Sequence, residues 1–188
     1  MIPYQTALDR QLQYVEEIAS GLRDETIVFC THPPVVTLGR ATEASDILDW
    51  EGELVEVSRG GRATYHGPDQ MVVYPILDLN KRDRDLHKHL RFLENTVIMV
   101  LKSYGIQAET QTGATGVWVG DKKICSIGIA VKKWISFHGL SLAVDNNPEA
   151  YKGINPCGYS ADVMTNLETL MGHSIERPEL ILKTQKVF

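Results

Sequence analysis

Apolar residues near the start of the chain recur at the spacing of a helix. Five of them lie three or four positions apart: Leu8, Leu12, Val15, Ala19 and Leu22. This spacing places them on one face and predicts an amphipathic helix over about residues 6–22. A second and clearer stripe consists of Leu86, Leu90, Leu93, Val97, Leu101 and Tyr104. It predicts a helix that ends at Gly105, because glycine readily adopts the conformation that follows a helix.

Short runs rich in β-branched and aromatic residues predict strands. These are Thr26–Cys30, Val35–Leu38, Leu54–Val57, Met71–Leu77, Val117–Val119, Lys122–Val131 and Ile135–Val144. Met71–Leu77 is apolar almost throughout, which predicts a strand buried on both faces. Further helical segments are predicted near residues 148–152, 162–171 and 178–186. Strands grouped as meanders around two long helices predict an α+β fold with a mainly antiparallel sheet, in one domain over residues 1–188.

Composition narrows the class of protein. The chain has 188 residues, of which 43% are hydrophobic and 23% charged, typical of a globular protein rather than a disordered, collagen-like or coiled-coil chain. No apolar run approaches the ~18 residues of a transmembrane helix. Residues 1–5 lack the basic and apolar pattern of a signal peptide, so we expect a cytoplasmic protein with three reduced cysteines. The net charge of −5 argues against non-specific nucleic-acid binding.

One loop combines glycines with polar side chains. Arg59–Pro68 reads Arg-Gly-Gly-Arg-Ala-Thr-Tyr-His-Gly-Pro. Adjacent glycines let a backbone approach a ligand closely, yet a surface turn would also account for them. The loop matches neither the GxxxxGK[ST] phosphate loop nor GxGxxG. These nucleotide motifs are absent from the chain.

Three cysteines are candidate nucleophiles. Cys30 lies in an apolar strand, as expected of a small buried hydrophobe. Cys157 stands between proline and glycine, in a constrained turn of the kind that can present a side chain to a cleft. Cys125 shares a strand face with Lys123, and a neighbouring lysine lowers the pKa of a thiol, so Cys125 is a rival to Cys157. Lys123 itself also fits the solvated end of a hairpin.

Metal and serine-hydrolase chemistry receive no support from the motifs. The chain contains six histidines but neither HExxH nor CxxC, and it lacks the GxSxG elbow. We therefore expect no metal site.

Several segments, in one order, resemble the signature of the octanoyltransferases of lipoate biosynthesis, the lipoyl(octanoyl) transferases. They are His32–Pro34 with Thr37–Arg40, Arg59–Pro68 with Gln70 and Tyr74–Pro75, Thr115–Val119, Lys123–Gly128, His138–Leu142 and Gly153–Gly158. The resemblance extends over about residues 6–170. It implies the fold of biotin and lipoate protein ligases, a mixed sheet flanked by helices.

The resemblance also implies an activity. Such an acyltransferase moves an octanoyl group from octanoyl–acyl carrier protein, through a cysteine thioester, to a lysine of a lipoyl domain. The acceptors would be the lipoyl domains of 2-oxoacid dehydrogenase complexes and the glycine cleavage H protein. No cofactor, nucleic acid or membrane is implied. An ATP-dependent lipoate or biotin ligase and a non-catalytic acyl-binding module are the alternatives; the Pro-Cys-Gly motif favours the transferase.

The motifs assign roles to particular residues. Cys157 would carry the acyl group and Lys123 would assist proton transfer. The substrate-binding residues would be Arg59, Gly60, Gly61, Arg62, Ala63, Thr64, Tyr65, His66, Ser126, Ile127, Gly128, Gly139, Leu140 and Ser141. We favour His66 as a pocket wall over a partner of the Cys–Lys pair, and suggest the backbone N–H groups of Cys157 and Gly158 for the oxyanion.

Some charged positions carry separate expectations. Five basic residues near the proposed site are candidates for docking an acidic partner protein: Arg59, Arg62, Lys122, Lys132 and Lys133. Asp69 stands where the resembling family usually has glycine, after Pro68 in a turn. Proline favours the first central position of a type I or a type II turn, and a type II turn would place Asp69 at positive φ. Cys125 likewise stands at a position where the family usually has a small residue.

Overall fold

The computed structural model describes residues 1–188 as two β-sheets with four α-helices. The helices are α1 (Tyr4–Ala19), α2 (Leu86–Lys102), α3 (Leu167–Met171) and α4 (Arg177–Val187). The strands are β1 (Thr26–Cys30), β2 (Val35–Leu38), β3 (Glu53–Glu56), β4 (Thr64–His66), β5 (Gln70–Ile76), β6 (Glu109–Gln111), β7 (Ala114–Val119), β8 (Lys122–Lys132) and β9 (Ile135–Ala143). Short 3₁₀ turns cover residues 44–46, 79–81, 156–158 and 161–163.

The larger sheet has six strands in the order β1-β5-β9-β8-β7-β6, and all of its neighbouring strands are antiparallel. The smaller sheet has the order β3-β2-β4; β2 is parallel to β3 and antiparallel to β4. The predicted α+β class and mainly antiparallel sheet are therefore confirmed.

Helices cover both faces of the larger sheet. On one face, Leu93, Val97 and Leu101 of α2 pack into a core with strand residues such as Ile124 and Leu140. On the other, Ala7, Val15 and Ile18 of α1 pack against β5 and β9. Every residue of the central strand β5 is buried, as its continuous apolar run predicts. None of the helices combines the length and apolar character that a membrane span needs.

Some predicted boundaries and elements differ from the structure. Helix α1 ends at Ala19, so Leu22 lies beyond it and is exposed. The helix predicted near residues 148–152 is wrong. Successive turns occupy this segment, and Tyr151 has a φ of +68°, which a helix cannot accommodate. The segment near 162–171 divides into a 3₁₀ turn and α3, whose first turn is capped by the Asn166 side chain.

Candidate active site

A cavity of about 40 Å³ lies between the start of α1, strands β4, β8 and β9, and the turn at residues 156–158. All of the predicted substrate-binding residues line it except Gly60, Ala63 and Tyr65. Tyr4, His138 and Cys157 complete the lining. The glycine loop, the β8 motif and the β9 motif, distant in sequence, therefore meet around one small space.

The three residues outside the lining support it from behind. The N–H of Gly60 donates to the carbonyl of Ile129 on β8, and the carbonyl of Ala63 accepts from the N–H of Cys157. The Tyr65 hydroxyl donates to Asp69 at 2.9 Å. These hydrogen bonds connect the loop to β8, to the Cys157 turn and to Asp69.

Cys157 occupies a strained turn. Its φ is +56°, in the left-handed region that a residue with a side chain seldom adopts. Its N–H donates to the carbonyl of Ala63 at 2.8 Å, which holds the turn against β4. The half-buried thiol lies at the cavity, with Sγ 3.9 Å from Oγ of Ser126. The turn thus presents a sulfur atom to the enclosed space.

The rival cysteines are less suited to nucleophilic attack. Cys125 is completely buried in the core beneath β8, and burial raises the pKa of its thiol to about 12 even though Lys123 lowers it in part. Burial likewise raises the pKa of Cys30 to about 12. Neither thiol lines the cavity. The geometry therefore favours Cys157 among the three.

Lys123 lies inside the protein and not at a solvated hairpin end. It is only 2% exposed, and its Nζ donates to the carbonyl of Thr115 at 2.9 Å. The same nitrogen lies 5.4 Å from the ring centroid of Trp118 and 6.0 Å from that of Tyr159, two residues after Cys157. It does not line the cavity, and it makes no hydrogen bond to Cys157 in this structure.

Aromatic and imidazole rings form one wall of the cavity. The ring of Tyr4 stacks on His66 with centroids 5.7 Å apart, and Nε2 of His66 lies 3.3 Å from Oγ1 of Thr37. Burial lowers the pKa of His66 well below its usual value, and burial with Arg59 lowers the pKa of His138 to about 3. Both rings are therefore neutral at pH 7. His66 contacts neither Cys157 nor Lys123 through a hydrogen bond, which is the arrangement of a pocket wall.

Arg59 closes the glycine loop from inside. It is 6% exposed, and its guanidinium donates to the carbonyls of Thr37, Gly60 and Arg62. The prediction that Arg59 belongs to a docking face is therefore wrong, because its charge is used within the loop. Two other basic candidates, Lys132 and Lys133, both pair with Glu16 of α1.

Two further expectations need correction. The N–H groups of Cys157 and Gly158 donate to the carbonyls of Ala63 and Asn155, so they are not free for an oxyanion. Asp69 does not have positive φ, and the turn from Gly67 to Gln70 is therefore not type II. Its buried carboxylate accepts from Tyr65 and from Asn147, at 2.9 and 3.2 Å.

Sequence reasoning missed two buried acids close to the site. Asp46 pairs with Arg62, and Glu94 accepts from the N–H of Gly116. Neither stands in a recognisable motif. The sequence offers one signal for Glu94. It is a charged residue on the buried face of α2, which is otherwise mostly apolar.

Comparison with known proteins identifies the family of this chain. The profile of the lipoyl protein ligase A/B catalytic domain matches residues 3–188. An octanoyltransferase of Bdellovibrio bacteriovorus is 42% identical over 99% of this chain and 93% of its own length. The chain belongs to the octanoyltransferase family. It is therefore an acyltransferase.

Solved structures agree on the fold of the enzyme. A bipartite lipoate protein ligase of Thermoplasma acidophilum, studied with its E2 lipoyl domain, superposes with a TM-score of 0.71 at 18% identity, over 100% of this chain and 79% of that one. A biotin protein ligase of Aquifex aeolicus, in complex with biotin and ATP, gives 0.56 at 18% identity, over 81% and 67%. The expected fold of biotin and lipoate protein ligases is confirmed.

Proposed function

We propose that the enzyme transfers an octanoyl group from octanoyl–acyl carrier protein, through a thioester on Cys157, to a lysine of a lipoyl domain. The observation that carries the proposal is the placement of Cys157, whose strained turn brings the one thiol that lines this cavity close to Ser126. The relatives are octanoyltransferases, which indicates octanoyl as the acyl group. The lipoate protein ligase studied with its E2 lipoyl domain suggests a lipoyl domain as the acceptor. Three free thiols fit a reducing cytoplasm.

The first half-reaction is thiol–thioester exchange. The thiolate of Cys157 attacks the octanoyl carbonyl carbon, a new carbon–sulfur bond forms, and the bond to the carrier's pantetheine sulfur breaks. The departing sulfur takes up a proton. One thioester replaces another, so the step needs no ATP. The Ser126 hydroxyl, 3.9 Å from Sγ, is a candidate donor for the carbonyl oxygen as it gains negative charge.

The second half-reaction forms an amide. The uncharged amine of the acceptor lysine attacks the Cys157 thioester, the carbon–nitrogen bond forms and the sulfur leaves. The attacking nitrogen must lose a proton, and Lys123 is the candidate acceptor because it is a buried amine beside Trp118 and Tyr159. Lys123 and Cys157 are not hydrogen-bonded here, so the acceptor amine would approach the thioester between these two side chains.

Apolar contacts would hold the acyl tail. Ile127 and Leu140 line the cavity together with the neutral rings of His66 and His138. Burying a methylene group contributes about 0.8 kcal/mol, so each methylene that packs fully on Ile127 or Leu140 would add about this amount. We propose that this wall recognises the tail while Cys157 reacts at the carbonyl.

Intact-mass analysis tests the proposal. The protein is mixed with octanoyl–acyl carrier protein alone, and we expect one octanoyl adduct that maps to the Cys157 peptide and disappears on addition of a lipoyl domain. Cys157→Ala should form no adduct, whereas Cys125→Ala should behave as the wild type. An adduct on Cys125 would contradict the assignment. Acylation of the lipoyl domain by free octanoate only with ATP would instead favour the ligase alternative.

A further inference from the structure

A single peptide group connects two buried side chains of opposite charge type. The N–H of Gly116 donates to Oε1 of Glu94 at 3.0 Å. The carbonyl oxygen of Thr115, at the other end of the same peptide unit, accepts from Nζ of Lys123 at 2.9 Å. Glu94 and Lys123 are each 2% exposed. The carboxylate and the amine therefore bind to opposite edges of one peptide group.

This arrangement strengthens both hydrogen bonds. A carboxylate that accepts from a peptide N–H draws electron density toward the carbonyl oxygen of that peptide, and the oxygen then binds a cationic donor more strongly. A buried ammonium group is costly unless negative charge lies nearby. Glu94 supplies that charge without touching Lys123, and it leaves the amine's remaining hydrogens free for other partners.

The backbone conformation of Gly116 makes the connection possible. Its φ is +131°, and a Cβ at this position would lie 2.5 Å from the carbonyl oxygen of Cys125 and 2.6 Å from Cε of Lys123. Only glycine leaves room for the lysine stem to pass so close to the peptide.

Helix α2 fixes the position of Glu94. Its Leu93 is fully buried, and Arg91 donates to Oε2 of Glu94 at 2.7 Å. Both oxygens of the carboxylate are thus directed, one to the peptide and one to the guanidinium. Glu94 binds the N–H of the same Thr115–Gly116 peptide whose carbonyl accepts from Nζ of Lys123.

We propose that Glu94 is a positioning residue for Lys123, acting through the Thr115–Gly116 peptide. It holds the amine at a defined place behind the Cys157 turn and compensates its positive charge during acyl transfer. The inference rests on the proposed role of Lys123, and it adds a residue that contacts neither the cavity nor the acyl group.

A double-mutant cycle tests it, with single-turnover octanoyl transfer from the Cys157 thioester to a lipoyl domain as the measurement. Losing the charge of one charge-assisted hydrogen bond should slow this transfer about tenfold in Glu94→Gln. In a Lys123→Met background the same change should slow it less than about twofold, because residues acting through one another are not additive. Glu179→Gln, which removes an exposed helical carboxylate paired with Lys183, is the matched control and should keep the wild-type rate.

Each result of the cycle has a defined meaning. A wild-type rate for Glu94→Gln overturns the inference, and so does an equal slowing in both backgrounds, which would show a structural effect independent of Lys123. A wild-type rate for Lys123→Met removes the proposed lysine role and the inference with it. Absence of any wild-type adduct is the failure of the proposed function.

A milder substitution covers the case in which Glu94→Gln does not fold. Arg91 is half-exposed, and Arg91→Gln frees Oε2 of Glu94 without burying a new polar group. We expect transfer to the lipoyl domain to slow by about two- to threefold with Lys123 present, and not at all in the Lys123→Met background. The effect is small because a partly exposed ion pair contributes little. Equal slowing in both backgrounds overturns the inference here too.

Discussion

The carboxylate of Asp46 accepts hydrogen bonds from Nε and Nη2 of Arg62, at 3.0 and 2.6 Å. Burial alone would raise the pKa of Asp46, but the hydrogen bonds from Arg62 hold it below its ordinary value. The same aspartate accepts the N–H of Asn155 on its carbonyl, at 2.8 Å. A Cβ at Gly158 would lie 2.7 Å from Cζ of Arg62. The pair therefore forms the support beneath the turn that carries Cys157.

Loss of the Asp46 charge should slow acylation of Cys157. In Asp46→Asn the guanidinium of Arg62 loses its buried carboxylate partner, and we expect the acylation rate to fall about tenfold because the turn is less well held. Single-turnover acylation measures this effect. Glu43→Gln removes the exposed carboxylate that also contacts Arg62, and it should change the rate little. Similar losses in both variants would contradict a specific role for Asp46.

Alkylation of the native protein should be selective for one cysteine. Burial raises the thiol pKa of Cys30 and of Cys125 to about 12, so both remain protonated at pH 8. Thiols react with iodoacetamide as thiolates, and Cys157 lines the cavity, so it should be labelled first. Peptide mass analysis after brief treatment provides the measurement. Labelling of all three sites in urea is the control; early labelling of Cys125 in the native protein would contradict the prediction.

Substitution of Asp69 should affect stability more than catalysis. Asp69 is buried and accepts a hydrogen bond from the Tyr65 hydroxyl, so Asp69→Gly leaves that hydroxyl without its partner. Losing one buried acceptor lowers the free energy of unfolding by about 1–3 kcal/mol. Because φ at Asp69 is not positive, glycine offers no relief of strain there. Urea denaturation should show the loss.

Asp69→Asn is the matched variant, because its amide oxygen can still accept from Tyr65, and it should be milder. In both variants we expect octanoyl transfer to stay within a few-fold of the wild type. A folded Asp69→Gly protein without turnover would show that Asp69 has a catalytic role.

His89 should make the protein less stable in mild acid. It is 5% exposed, and neither ring nitrogen has a hydrogen-bond partner. Burial, with Arg82 as a second cause, lowers its pKa to about 4. In the unfolded chain its pKa is near the ordinary 6.5. Between these two values the unfolded state binds more protons, so the free energy of unfolding falls as the pH decreases from about 6.5 toward 4.

The substitution His89→Leu should reduce this pH dependence. The loss of stability between pH 7 and pH 5 should be smaller in the variant by about 1–2 kcal/mol, as measured by urea unfolding at both pH values. His87→Leu changes an exposed histidine of the same helix and should leave the dependence as in the wild type. Acyl transfer should not change, because His89 lies away from the cavity. An unaltered pH dependence in His89→Leu would contradict the prediction.

The sequence by itself determined the elements whose pattern is local. The stripe from Leu86 to Leu101 predicts α2, and the apolar run from Met71 to Leu77 predicts the buried strand β5, since each repeats at the period of its own backbone. The ordered motifs around Arg59–Pro68 and Cys157 were sufficient to indicate the family. Where local signals were weak, prediction failed: the segment at 148–152 forms turns, because the left-handed conformation at Tyr151 depends on its surroundings.

Only the tertiary structure decided which side chains meet. Lys123 fits a solvated hairpin end by charge alone, yet it is buried among Trp118 of β7, Tyr159 and Met164. Asp46 reaches Arg62 across 16 positions, and Glu94 reaches Gly116 across 22. No sequence period relates such residues, because their approach depends on how separate elements pack. That packing forms the cavity. It also places Cys157 at the cavity and buries Cys125 in the core.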